Sequence, residues 1–195
     1  IESALRTEVI RWYEILTLTR DLDFDREGTL LADSLGHRQK MAQSQILALL
    51  GLRYPIETID LVARNLRSPA ADVRANAIEL LDNLVNKDEK DLVIPVLEET
   101  PIDKAVGIGV GVFGITRRTR EERLRELLLC DDTWIRVCAA IEVGHAKVVS
   151  LEPEIRRMLH SNDPVARETA IVAYRNIASR EVVLEQLMLM QLRRS

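Results

Sequence analysis

Aromatic residues are scarce: Phe, Trp and Tyr together make up 4% of the 195-residue chain. Glycine is sparse too, at eight residues, half of them crowded into positions 107 to 114. Globular enzymes of this size ordinarily carry more of both. An excess of positive charge is also missing. The net charge is −4 and the isoelectric point about 5.5, so no general electrostatic attraction to nucleic acid operates. The densest basic run, Arg117, Arg118 and Arg120, is followed at once by Glu121 and Glu122, which leaves no polybasic cluster for an anionic membrane. No stretch approaches the eighteen apolar residues of a membrane span, so direct membrane insertion by this segment is excluded. Only two cysteines occur, Cys130 and Cys138, eight apart. That is not a metal-ligand spacing, and without a secretory signal reduced thiols and a cytoplasmic location are expected.

What remains is 47% hydrophobic residues, dominated by Leu, Ile, Val and Ala, with 30% charged residues of both signs interspersed. This is the balance of amphipathic helices. Helical spacing of apolar residues runs from Ser3 to Arg20 and from Gly28 to Leu50, the latter closed by Gly51 and Pro55. Shorter helices then come in pairs. Ile56–Leu66 precedes a helix that Ser68 caps and Pro69 opens, reaching Val85. After a loop at Asn86–Asp88 comes Lys90–Glu99. Arg120–Leu129 precedes Thr133–Lys147, and Glu152–His160 precedes a helix capped by Asp163 and opened by Pro164, ending near Ala178. Glu181–Leu192 reads as a last helix. The chain opens on Ile1 and closes on Arg193-Arg194-Ser195, and is read as an excised piece of a longer polypeptide, itself a single domain over 1–195.

A period of 31 residues organises these pairs. Arg136 and Arg167 stand 31 apart, and Arg74 stands twice that before Arg136. Eight residues before each arginine is a leucine (Leu66, Leu128, Leu159). One before is an aliphatic (Val73, Ile135, Ala166), and three after is an alanine (Ala77, Ala139, Ala170). A fixed period of this size marks stacked helical hairpins, none able to bury its apolar face alone. The expected fold is all-α: a right-handed superhelical α-solenoid of about five to six helix pairs, with second helices lining the concave side. Val73, Ala77 and Leu81, with Ile135, Ala139, Val143, Ala166, Ala170 and Tyr174, are the expected seam.

The pattern of leucine, then Asp, Pro or Thr, then Val/Ile-Arg-x-x-Ala resembles the HEAT repeat, best over Leu66–Val85, Leu128–Lys147 and Leu159–Ala178. The resemblance implies a polar ladder between neighbouring repeats, here Arg74, Arg136 and Arg167 with Asp132 and Asp163. Ala70 stands where the first repeat should have its aspartate, and Ala105 where its successor should have the arginine. The runs Leu30–Leu35, Ile46–Pro55 and Arg74–Asn83 also resemble the HEAT region of bacterial multidomain proteins. In those, a membrane segment similar to nucleotide carriers precedes the repeats and a cyclic-nucleotide-binding domain often follows.

Sites of chemistry are hard to find. Gly109-Val-Gly-Val-Phe-Gly114 matches G-x-G-x-x-G, but no βαβ pattern surrounds it, so a dinucleotide site is rejected. His37, His145 and His160 fall in separate repeats without an i, i+4 partner. The expected function is a non-catalytic protein–protein interaction or spacer module with no cofactor, no metal and no nucleic acid. Its partner is a protein or another domain of the same polypeptide. The candidate concave surface is Asn76, Glu79, Asn83, Ile141, His145, Val172 and Asn176, with Cys138 and Thr169 beside them. Ile141 and Val172, apolar at positions expected to be exposed, are the candidate anchors. The alternative is a small-ligand enzyme on the same scaffold, such as a bilin lyase. It would require His145, Glu142, Arg175 and Cys138 to converge on one pocket.

The repeat around 87–116 is degenerate. Glycines at 107, 109, 111 and 114 occupy what should be a second helix, at about 0.5–1 kcal/mol each relative to alanine. Val106, Ile108, Val110, Val112, Phe113 and Ile115 are too apolar to leave in solvent. The expectation is a weak helix buried between flanking repeats, with Gly107 and Gly111 allowing a close crossing.

Overall fold

A computed structural model describes residues 1–24, 28–98 and 100–178, and the expected last helix at Glu181–Leu192 lies outside them. Among the described residues the chain is all-helical. The helices are α1 (Glu2–Leu22), α2 (Leu30–Leu50), α3 (Ile56–Asn65), α4 (Ala71–Leu84), α5 (Lys87–Leu97), α6 (Ile102–Phe113), α7 (Arg120–Leu129), α8 (Thr133–Ala146), α9 (Glu152–Met158, after a 3-10 turn at Val149–Leu151) and α10 (Pro164–Ile177). They form two compact units, one of residues 1–20 and 35–117, the other of 21–34 and 118 onward.

Two boundaries differ from the sequence reading. Helix α4 starts at Ala71, with Ala70 as its cap and no side chain satisfying its first amides. Ser68 instead closes a local turn, its hydroxyl accepting from the Ala70 N–H at 3.2 Å. Lys87 and Asp88 are not a loop but the start of a helix that Asn86 caps. The Asn86 Oδ1 accepts the Glu89 N–H at 3.0 Å and opens α5 at Lys87, because an Asx oxygen is a better partner for an orphan amide than water.

The first unit is built on a core of Leu5, Val9, Trp12, Tyr13, Ile46, Leu50, Ile59, Val62, Ala77, Leu81, Val93 and Val106. Helices α3 and α4 form a hairpin, and α4 packs on α5. Glu89 is buried in the first turn of α5. It accepts from the Tyr54 hydroxyl and pairs with Arg53, while Tyr54 accepts the Asn86 N–H at 3.0 Å. Its charge is thus compensated on two sides, as a buried carboxylate requires.

The glycine-rich segment is a helix, as expected, but it packs by a different device. The Arg6 guanidinium lies 5.8 Å from the centre of the Phe113 ring, the Tyr13 and Phe113 rings are 5.2 Å apart, and Arg20 Nε donates to Asp103 at 2.9 Å. Advancing along α1 means retreating along α6, so the two helices run antiparallel. Gly107 and Gly111 meet nothing within 4 Å, so they set no crossing. Gly109 is the glycine at the contact, against Tyr13. The reason is helical phase: Ala105, Val106 and Gly109 share the buried face, while 107 and 111 point away from it. Gly114, at φ +66°, ends the helix in the left-handed conformation that glycine tolerates.

The second unit contains two stacked hairpins. Helix α7 packs on α8 and α9 on α10, then α8 on α10 and α7 on α9. A capping box starts α7: Thr119 accepts the Glu122 N–H while Glu122 accepts the Thr119 N–H, which holds the Glu122 carboxyl below its usual range. The expected seam is buried at Ile135, Ala139, Val143, Ala166, Ala170 and Tyr174, and in the first unit at Ala77 and Leu81; Val73 is half-buried. Arg125 joins α7 to α9 through Glu154 at 3.1 Å. Asp21, with a fully buried carboxylate, accepts from Arg123 Nε and from the Arg118 N–H, both at 3.0 Å.

Candidate interaction surface

The repeated arginines serve a common local purpose. Each sits in the fourth position of its helix and donates to the carbonyl six residues earlier. Arg74 Nη1 reaches Ser68 at 3.0 Å, Arg136 Nη1 reaches Cys130 at 3.0 Å, and Arg167 Nη1 reaches Ser161 at 2.8 Å. A cation in a first turn opposes its own helix dipole, but here it is delivered to the carbonyl-rich end of the preceding helix, where positive charge is favoured. Asp132 and Asp163 are N-caps, accepting from the Ile135 and Ala166 amides at 2.9 and 2.8 Å. Arginine and aspartate together thus fix the turn that aims α8 and α10, and with it the side chains on their outer faces, while at α4 the arginine acts without a capping aspartate.

In the second unit that face is laid out in register. Two residues before the arginines stand Trp134 and Val165, exposed by 50% and 55%. Five after stand Ile141 and Val172, the latter exposed by 58%. His145 and Asn176 are exposed nine after, as expected, and Thr169 is half-buried. Two expectations need correction. Ile141 is half-buried and Cys138 fully buried, because residues 28–34 lie against this part of α8. Ser34 Oγ stands 3.6 Å from the Cys138 sulfur and accepts from Trp134 Nε1 at 2.9 Å. In the first unit the corresponding residues Asn76, Glu79 and Asn83 on α4 are exposed.

Gly28 to Leu31 close a pocket of about 250 Å³ against Cys138, Ile141, Glu142 and His145. Three of the four residues sought for the catalytic alternative therefore do share a pocket, and Arg175 is not among its lining. Their chemistry is spent elsewhere. Glu142 is bound by Arg120 at 2.8 Å. Cys138 and His145, seven residues apart on one helix, are separated by about 10 Å of rise, beyond the hydrogen-bond reach a base needs. Among the described residues no group of three His, Cys, Asp or Glu could hold a metal ion, and the pocket is smaller than a typical small-molecule site of roughly 300–1,000 Å³.

Trp134 and Val165 were missed as surface candidates although the signal was present. The same 31-residue register that aligns the arginines places both two positions before them, on the outward phase of the helix. No protein-family model, curated protein or solved structure matches this chain. Among the described residues no helix is long and apolar enough to cross a membrane.

Proposed function

We propose that the chain is a non-catalytic protein-interaction or spacer module of HEAT-like α-solenoid design, working in the cytoplasm. It binds a protein, or another domain of the same polypeptide, through the outer face of α8 and α10. The observation that carries this reading is the exposure of Trp134, Val165 and Val172 on adjacent helices at repeat-equivalent positions. Isolated surface apolar residues need no explanation, but an aligned set including a half-exposed tryptophan is the composition of an interface anchor. The stacked hairpins α7 to α10 and their recurring Arg–Asp turns support the solenoid reading. A small-ligand enzyme on the same scaffold is the weaker reading, since the α8 pocket is small and its carboxylate is already paired.

The test compares polypeptides retained by the native chain, by Trp134→Ser/Val172→Ser, and by a control altered on α9, Arg157→Ser. A band kept by the native chain and the control but lost by the double variant is expected. Identical retention by all three would remove the surface from consideration.

A further inference from the structure

The two units treat equivalent helix faces differently. In the second unit, the stripe Val137, Ala140 and Gly144 of α8 is buried, and Gly144 packs directly on Ala173 of α10. Shifting by 62 residues, the distance between Arg74 and Arg136, gives Ala75, Ile78 and Asp82 of α4. Here Ala75 is exposed, and Ile78 and Asp82 are only half-buried. Helix α6, which follows in sequence as α10 follows α8, lies along α1 instead. The open α4 face floors a groove of about 770 Å³ that runs from Ala71 to Asp82, with Leu97 and Glu98 on its wall. Its length is about 16 Å, three helical turns.

We infer that this groove on α4 is a docking site for a basic amphipathic helix from a partner protein, presenting a small-residue stripe flanked by Lys or Arg. The site is separate from the α8–α10 surface and does not rest on it. The molecule itself shows what fits such a face: in the second unit a helix covers it, approaching closely enough that a Cβ on Gly144 would stand 2.9 Å from Ala173 Cα. Charge selects the sign of the occupant. Glu79, Asp82 and Glu98 border the groove. Arg74, the one cation in the lining among the described residues, donates through Nη1 to the Ser68 and Pro69 carbonyls at 3.0 Å. Asp82 is already paired with Lys90, which leaves Glu79 and Glu98 to meet incoming cations. Small residues at Ala71 and Ala75 let a backbone come near, and Ile78 supplies the apolar contact in the middle.

The probes are two fluorescein-labelled, stapled 14-residue helices with the same alanine stripe, one flanked by lysines and the other by glutamates. Fluorescence anisotropy with the full chain should show the lysine helix binding at least tenfold tighter than the glutamate helix. Glu79→Lys/Glu98→Lys should abolish or reverse that preference. Ala75→Arg should weaken the lysine helix at least tenfold, with circular dichroism unchanged. All three sites are exposed, so the variants are expected to fold. Equal binding of both helices, no binding of either, or native affinity in Ala75→Arg would each overturn the proposal. A native dimer in sedimentation that Ala75→Arg dissociates would assign the groove to a second copy, and would overturn it too.

Discussion

Gly109 of α6 lies against the Tyr13 ring of α1, so close that a Cβ there would stand 3.3 Å from Tyr13 Cδ1 and 3.4 Å from Tyr13 Cβ. Tyr13 cannot withdraw, since it is fully buried and holds Trp12 edge-on at 5.0 Å and Phe113 at 5.2 Å. The three helical glycines should therefore respond oppositely to substitution. Gly107→Ala and Gly111→Ala, with open space around them, should each stabilise by about 0.5–1 kcal/mol. Gly109→Val should overpack the contact and cost about 1–3 kcal/mol. Urea denaturation of the three variants checks this, and equal gains at 107, 109 and 111 would show that α6 does not pack through Gly109.

Gly144 offers a matching test in the second unit. Its Cβ would stand 2.9 Å from Ala173 Cα, a backbone atom that cannot rotate away. Gly144→Ala should cost about 1–3 kcal/mol despite the better helix propensity of alanine, and Ala139→Leu, at a fully buried seam position, a similar amount. Thermal melts of both variants provide the measurement.

Ala70 is the cap that lacks a cap. Its backbone, φ −81° and ψ 122°, matches Asp163 at φ −76° and ψ 122°. Ala70→Asp should therefore accept an orphan amide of α4 and stabilise by about 1 kcal/mol, while Asp163→Ala should destabilise by about the same. A loss of stability in Ala70→Asp would show that this turn differs from its counterparts.

The helix pairs α7–α8 and α9–α10 were legible in sequence because arginine, alanine and leucine recur at fixed offsets and each has a local physical task. The partner of α6 was not legible. Periodicity shows that one face of a helix is apolar, but gives no direction in space. The pairing with α1, about a hundred residues earlier in the chain, depends on which of three glycines falls on that face. The concave candidates were partly legible. Helical phase placed Val172, His145 and Asn176 outward, but could not foresee Ser34 and its neighbours lying over Cys138.

Burial shapes the alkaline limit of stability. Tyr13 is pushed up to about 12 by desolvation, and Tyr54 and Tyr174 are raised too, foremost by burial. These three are all the tyrosines in the chain. Between pH 10 and 12 the unfolded Tyr13 has released its proton while the folded one retains it, so stability is full below pH 10 and falls as pH rises through 12. For Tyr13 the loss amounts to roughly 2–3 kcal/mol. Its hydroxyl is buried with no hydrogen-bond partner among the described residues. Tyr13→Phe should thus be no less stable than the native chain at pH 7 and should flatten the alkaline decline. Urea midpoints at pH 8, 10 and 12 decide it; an unchanged slope in Tyr13→Phe would contradict the assignment.

Site-specific photocrosslinking tests the interaction surface most directly. A benzophenone amino acid replaces Val172 on the exposed face of α10, and in a second sample Arg157, exposed on α9. A discrete adduct with one partner polypeptide from position 172, absent from 157 and suppressed by Trp134→Ser, is the expected result. Adducts of equal yield from both positions, or none from 172, would contradict a binding surface on α8 and α10.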